Sequence, residues 1–169
     1  MEEDFFNGVN GDNNKTRFFN LLEKSNLLKQ RSLSLFKEDP ESFYIFLHFL
    51  NVIEENLNYV NGEEYIQLAK RFVTGQIDEE DFSIDYLILY SEVLEKVEIL
   101  CSEESLELTT FLEPDVKPFL FSRVHDACIT FQGNLYSEEL EVNKEEWLEA
   151  SKEELKFSVQ KLLVKLQKK

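Results

Sequence analysis

Two cysteines are too few for a disulfide framework, so nothing in this 169-residue chain calls for an oxidising compartment. Three prolines and five glycines leave long stretches without a breaker, which excludes collagen-like and low-complexity classes. Bases are scarce as well: 18 Lys and Arg stand against 34 Asp and Glu, a net charge of −16. A chain of that sign repels phosphate backbones and argues against a nucleic-acid-binding role. No apolar run reaches the roughly 20 residues of a membrane span. The opening Met1-Glu2-Glu3-Asp4 is acidic where a signal peptide would be basic. The expectation is a soluble, reduced, cytoplasmic protein that contacts neither nucleic acid nor membrane. What the chain does have is bulk for a core, with 43% hydrophobic residues, fifteen Phe and six Tyr.

The acidity is uneven. Residues 38–104 hold 17 acids and three bases, a local net of −14, whereas residues 152–169 hold six Lys and two Glu, a net of +4. Lysines in a last helical turn favour the helix dipole, which accounts for the basic end without a partner. Like charges crowded in the acidic middle cost stability, which points toward a basic partner. Acidic surfaces are common on cytoplasmic proteins, however, and the charge by itself is weak evidence of one.

Periodicity predicts an all-α fold: a single-domain antiparallel bundle of about five or six helices over residues 15–169, after a flexible Gly/Asn-rich leader at 1–14. A first helix is expected from Lys15 to Phe36, with Phe18, Phe19, Leu22 and Leu28 apolar. Asp39-Pro40-Glu41 supplies a cap, a first-turn proline and an acid for a second helix, Pro40 to Leu57. Its Phe43-Tyr44-Ile45-Phe46-Leu47 run predicts a central position. A third helix spans Glu63 to Thr74 and ends on Gly75 as a left-handed cap. Asp78 and Asp81 open the longest helix, residues 78–102, whose stripe is Phe82, Tyr86, Tyr90, Val93, Val97 and Leu100. Leu106, Leu108, Thr110 and Leu112 alternate, predicting a short extended segment near 105–112 that Pro114 and Pro118 end. A further helix runs to Phe131, stopped by Gly133-Asn134. Asn143 and Glu146 cap the last one, which carries Trp147, Leu148, Leu155, Val159, Leu162, Leu163 and Leu166. No repeat of solenoid length occurs.

The chain has neither of the Gly-rich nucleotide-loop motifs, no nucleophile elbow and no Glu-x-x-His pair. Asn10, Asp12 and Asn14 imitate an EF-hand, but Lys15 stands where the loop needs Gly and Leu21 where it needs Glu. His125 and Cys128 share a helix face at i, i+3, and His48 and Cys101 could complete a tetrahedral site. Small buried cysteines and core or rim histidines account for the same residues, so no metal and no cofactor is expected. The acid pairs Glu79-Glu80-Asp81 and Glu138-Glu139 read as solvated helix starts rather than acid/base dyads. The expectation is a binding protein, not an enzyme.

One stretch, Leu68-Ala69-Lys70-Arg71-Phe72-Val73-Thr74-Gly75-Gln76-Ile77-Asp78-Glu79-Glu80-Asp81-Phe82, leads into Tyr86-Leu87-Ile88-Leu89-Tyr90. It resembles the helix–turn–helix of colicin-D-type immunity proteins, with Phe, small residues, Gly-x-Ile, then acids, Phe and Tyr. Val124-His125-Asp126-Ala127-Cys128 is similar to that family's Val-Asp-Ala-aromatic run, with Cys128 in place of the aromatic residue. Asn143-Lys144-Glu145-Glu146-Trp147-Leu148 then opens a last helix, as in the family. The resemblance covers about residues 65–95 and 119–165. It implies a small cytoplasmic inhibitor that presents carboxylates to the basic, tRNA-binding cleft of a bacterial toxin nuclease. The partner-binding candidates are Glu79, Glu80, Asp81 and Asp85 near the matched turn, and Asp126, which matches a family acid. Inside an apolar helix, a buried structural role is the other reading of Asp126.

The competing class is a homodimeric helical adaptor, with the aromatic run from Phe43 to Leu50 as an interface. Monomer and homodimer both remain open on sequence.

Overall fold

The longest helix forms where the sequence offers a cap, an acidic first turn and an uninterrupted apolar stripe. Asp78 Oδ1 accepts the Asp81 backbone N–H at 2.9 Å, with Glu79, Glu80 and Asp81 in the first turn. In the computed structural model, which describes residues 11–112, 119–137 and 143–167, this element spans Glu79–Ser102. The described residues form seven α-helices: α1 Gly11–Gln30, α2 Leu35–Glu38, α3 Pro40–Val60, α4 Gly62–Val73, α5 Glu79–Ser102, α6 Leu120–Tyr136 and α7 Lys144–Leu166. A 3-10 helix, Leu106–Phe111, is the remaining element, and no strand occurs among the described residues. The fold is all-α, a helix bundle. No described helix is long and apolar enough to cross a membrane.

The described residues gather into two compact units, one within residues 1–57 and 94–117, the other within residues 58–93 and 118–169. Helices α3 and α5 each pass from one unit into the other. In the first unit, Phe18 of α1 stacks on Phe46 at 5.7 Å and meets Phe49 edge-on at 5.9 Å. Ile53, Leu57, Val97, Leu100, Leu108 and Leu112 are buried with them. Asp39 caps α3 by accepting the Ser42 N–H on Oδ1 at 3.1 Å and the Ser42 hydroxyl on Oδ2 at 2.7 Å, and Lys24 donates to the same Oδ2 at 2.5 Å.

In the second unit, α6 packs along α7 and α4 packs on α7. Helices α5 and α6 run antiparallel: the Tyr136 hydroxyl donates to Glu80, the Gln132 amide to Ser83, and His125 stacks on Tyr90. The core is aromatic. Phe72 stacks on Phe82 at 4.5 Å, Tyr65 lies 5.1 Å from Tyr86 and 4.9 Å from Phe121, and Tyr59 meets Phe121 edge-on. Buried tyrosines need partners for their hydroxyls. Tyr86 donates to the Phe121 carbonyl at 2.8 Å and Tyr65 to the Asn58 side chain at 2.5 Å.

The structure departs from the sequence expectations at several ends and faces. Helix α1 starts at Gly11, within the expected leader, and stops at Gln30 rather than Phe36; residues 1–10 lie outside the described residues. It stops because Ser32 turns left-handed (φ 58°), so that Ser32 N–H reaches the Lys29 carbonyl and Leu33 N–H that of Leu28. The face of α3 holding Tyr44 and Leu47 is exposed, Tyr44 by 60%, so α3 is a one-faced helix and not a fully buried one.

The segment expected to be extended is the 3-10 helix. With no described strand to pair with, its backbone closes on itself, Leu108 N–H to the Ser105 carbonyl, and Asn56 anchors the Phe111 carbonyl at 2.7 Å. Pro114, Pro118 and Glu138-Glu139 lie outside the described residues. Helix α6 runs on through Gly133 and Asn134 to Tyr136, because Leu135 packs on the core and Tyr136 on Glu80. Asn143 precedes α7 in a left-handed conformation (φ 81°) and its side chain makes no capping bond. Trp147 of α7 is exposed.

Candidate functional site

The turn between α4 and α5 is built by a glycine. Gly75 (φ 71°) places its N–H on the Phe72 carbonyl at 3.0 Å, and Gln76 N–H reaches the Arg71 carbonyl at 2.9 Å. This double closure terminates α4 and re-aims the chain into the Asp78 cap, which sets the acids Glu79, Glu80 and Asp81 in the first turn of α5. The left-handed cap and the Asp78 start are where the sequence predicts them.

The candidate carboxylates then divide by their partners. Glu79 forms an ion pair with Lys156 of α7 at 2.7 Å, and that hydrogen bond holds its carboxyl below the usual carboxylate range while raising the Lys156 ammonium. Glu80 accepts the Tyr136 hydroxyl, which raises the tyrosine. Asp85 lies 3.9 Å from the Arg71 guanidinium, a loose contact between half-exposed side chains. Asp81 is exposed. Asp126 is 81% exposed, with the His125 ring nitrogen 3.4 Å away. It stands ten residues before Tyr136 on α6, about 15 Å along the axis, so the turn cluster and Asp126 are separate features. The exposed side chain rules out the buried structural role.

Sequence reasoning passed over a groove beside these acids. Between α4 and α5, the side chains of Glu63, Glu64 and Asp85 stand on a rim with Arg71, over a floor of Leu68, Ile88 and Leu89. Ile88 is 54% exposed and Ile84, one turn earlier, is also exposed. The signal was present in Ile84 and Ile88, which lie off the Phe82–Tyr86–Tyr90 stripe at i, i+4 spacing. A second shallow hollow lies over the turn itself, lined by Ile77, Asp78, Glu79, Asp81 and Lys156.

The metal-ligand candidates have other surroundings. Among the described residues, no group of three or more His, Cys, Asp or Glu is placed to hold an ion. His125 stacks on Tyr90 with centroids 4.3 Å apart. Cys128 is fully buried, and burial pushes its thiol far up; the half-buried Cys101 is pushed up to about 11 by its own burial. Neither is a thiolate at neutral pH. His48 is half-buried on α3.

What the α4–α5 face offers chemically is a rim of three carboxylates and one guanidinium around branched apolar side chains. Glu79, held below the usual carboxylate range by Lys156, carries its charge at neutral pH. Comparison with protein-family models, curated proteins and solved structures returned no match for this chain.

Proposed function

We propose that this protein is a cytoplasmic binding protein of the immunity type, which occupies the basic active-site cleft of a bacterial toxin nuclease through the acidic face of α4 and α5. The observation that carries the reading is the groove whose rim is Glu63, Glu64 and Asp85 with Arg71 and whose floor exposes Ile88, next to the exposed Asp81. Apolar contact at the centre supplies affinity. The carboxylates on the rim supply encounter rate and register, and the −14 of residues 38–104 extends that attraction beyond the contact. The resemblance of the turn and of the first half of α5 to colicin-D-type immunity proteins points to the same face. Glu79 and Glu80 serve this site as struts: their carboxylates hold α7 and α6 through Lys156 and Tyr136. Asp81 and Asp85 are the partner-facing pair, and Asp126 belongs to a separate exposed position on α6.

The test begins with capture of the basic partner by the tagged chain, followed by association kinetics. Reversal of Asp81 and Asp85 to Lys slows association about tenfold or more at low salt, and the difference closes above physiological ionic strength, where the Debye length is below about 8 Å. An unchanged rate with both reversed removes this face from the contact. Loss of nuclease inhibition in the same variant ties the contact to function.

A further inference from the structure

The unit of residues 58–93 and 118–169 carries a second groove, and its sign is opposite. Where α6 starts beside the last turns of α7, Leu120, Phe157 and Val164 form an apolar floor, and Lys161, Lys165 and Gln160 form the rim. Among the described residues, no carboxylate lines it. Phe157 and Val164 are 52% and 53% exposed, and the Lys161 ammonium lies 3.8 Å over the Phe157 ring. The dipole account of a lysine-rich last turn explains Lys165 alone; it explains neither the exposed aromatic ring nor Lys161 above it. An apolar patch rimmed by charge of one sign is the form of an interaction site.

We propose that this basic groove takes the acidic α4–α5 groove of a second copy of the chain. Both faces set a charged rim around apolar side chains, net acidic on one and basic on the other. Ile88 and Leu89 stand with Asp85, Glu63 and Glu64, an acidic rim that Arg71 interrupts; Phe157 and Val164 stand with Lys161 and Lys165. Each face leaves its apolar centre in water in the single chain, and contact between them covers both centres while pairing rim charges. The contact is heterologous, since different patches meet. It uses the face assigned above to the basic partner, so self-association and partner capture compete, but it stands without that assignment because it needs only this chain.

The experiment is sedimentation of the purified protein up to about 100 μM in 0.15 M salt, where a Debye length of about 8 Å screens whole-molecule repulsion but not contacts at ion-pair distance. The parent sediments heavier than one chain. Glu63→Lys with Glu64→Lys, or Lys161→Glu with Lys165→Glu, each weakens self-association about tenfold or more, and an equimolar mixture of the two variants restores it. The first variant is the sharper one. It moves the net charge by four units, from −16 to −12, so relief of general repulsion alone would strengthen association. Circular dichroism checks that both variants keep the parent's helix content. If Lys161→Glu with Lys165→Glu disturbs α7, Lys161→Gln with Lys165→Gln gives a smaller loss in the same direction. A parent that stays a single chain, an association indifferent to either pair, or a mixture that stays dissociated overturns the proposal.

Discussion

Three residues end helices by the same left-handed turn, and only one of them is a glycine. Ser32, Gly75 and Glu104 have positive φ, and in each case the next residue's N–H reaches back five positions: Leu33 to Leu28, Gln76 to Arg71, Ser105 to Leu100. A side chain in that conformation costs about 1–2 kcal/mol. Ser32→Gly and Glu104→Gly therefore raise stability by about 1 kcal/mol each in denaturant titration, and Gly75→Ala lowers it by a similar amount. If the first two destabilise instead, unfolded-chain entropy outweighs the strain.

Asp39 carries a second prediction at this scale. The Lys24 hydrogen bond, helped by the Ser42 hydroxyl and backbone, holds its carboxyl well below its ordinary 3.8. A depressed folded-state value means stability that is complete above the ordinary value and is lost as pH falls through the folded one. The melting-temperature gap between parent and Asp39→Asn is thus widest above about pH 5 and narrows steadily below about pH 3.8. A gap independent of pH would place the effect of Asp39 outside its charge.

At the scale of elements, the α5 stripe is the part most legible in sequence, because Phe82, Tyr86, Tyr90, Val93, Val97 and Leu100 keep helical spacing and all are buried. Phe82 stacks on Phe72, so Phe82→Ala removes a whole ring from a filled site and costs about 3–5 kcal/mol in equilibrium unfolding. Tyr86→Phe deletes only the hydroxyl bond to the Phe121 carbonyl and costs about 1 kcal/mol. A Phe82→Ala cost below about 1 kcal/mol would mean that this end of the stripe is not core. The illegible elements fail for local reasons. Ser32 gives no glycine signal, so α1 reads as too long. Gly133 sits on an exposed helical position with open space around it, a penalty of about 1 kcal/mol against Ala that the packing of Leu135 overrides. The Leu106–Leu112 alternation imitates a strand, yet Leu106 faces water while Leu108 and Leu112 are buried.

At the scale of the whole molecule, the acidic site was legible as composition but not as geometry. Counting acids marks residues 78–85; it cannot say that Glu79 and Glu80 are engaged by α7 and α6, or that Glu63 and Glu64 join Asp85 across a groove. The same charge sets a global property. The ion pairs Lys24–Asp39, Arg71–Asp85, Lys96–Glu107 and Lys156–Glu79 each have at least one substantially exposed partner, and pairs of that kind contribute little. Against them stands a net charge of −16, whose self-repulsion opposes the compact state over distances salt can screen. Raising salt from about 0.01 M to about 0.3 M shortens the Debye length from about 30 Å to well under 10 Å, which removes long-range repulsion first and close pairs last. The melting temperature of the parent therefore rises by a few degrees over that interval. Glu92→Lys with Glu95→Lys, two exposed positions on α5 that line neither groove, raises it at low salt and flattens the dependence. Chloride and sulfate series compared at equal ionic strength separate screening from salting-out, which favours burial irrespective of charge. A melting temperature that falls with added chloride would mean that local pairs, not net repulsion, govern the electrostatics of this fold.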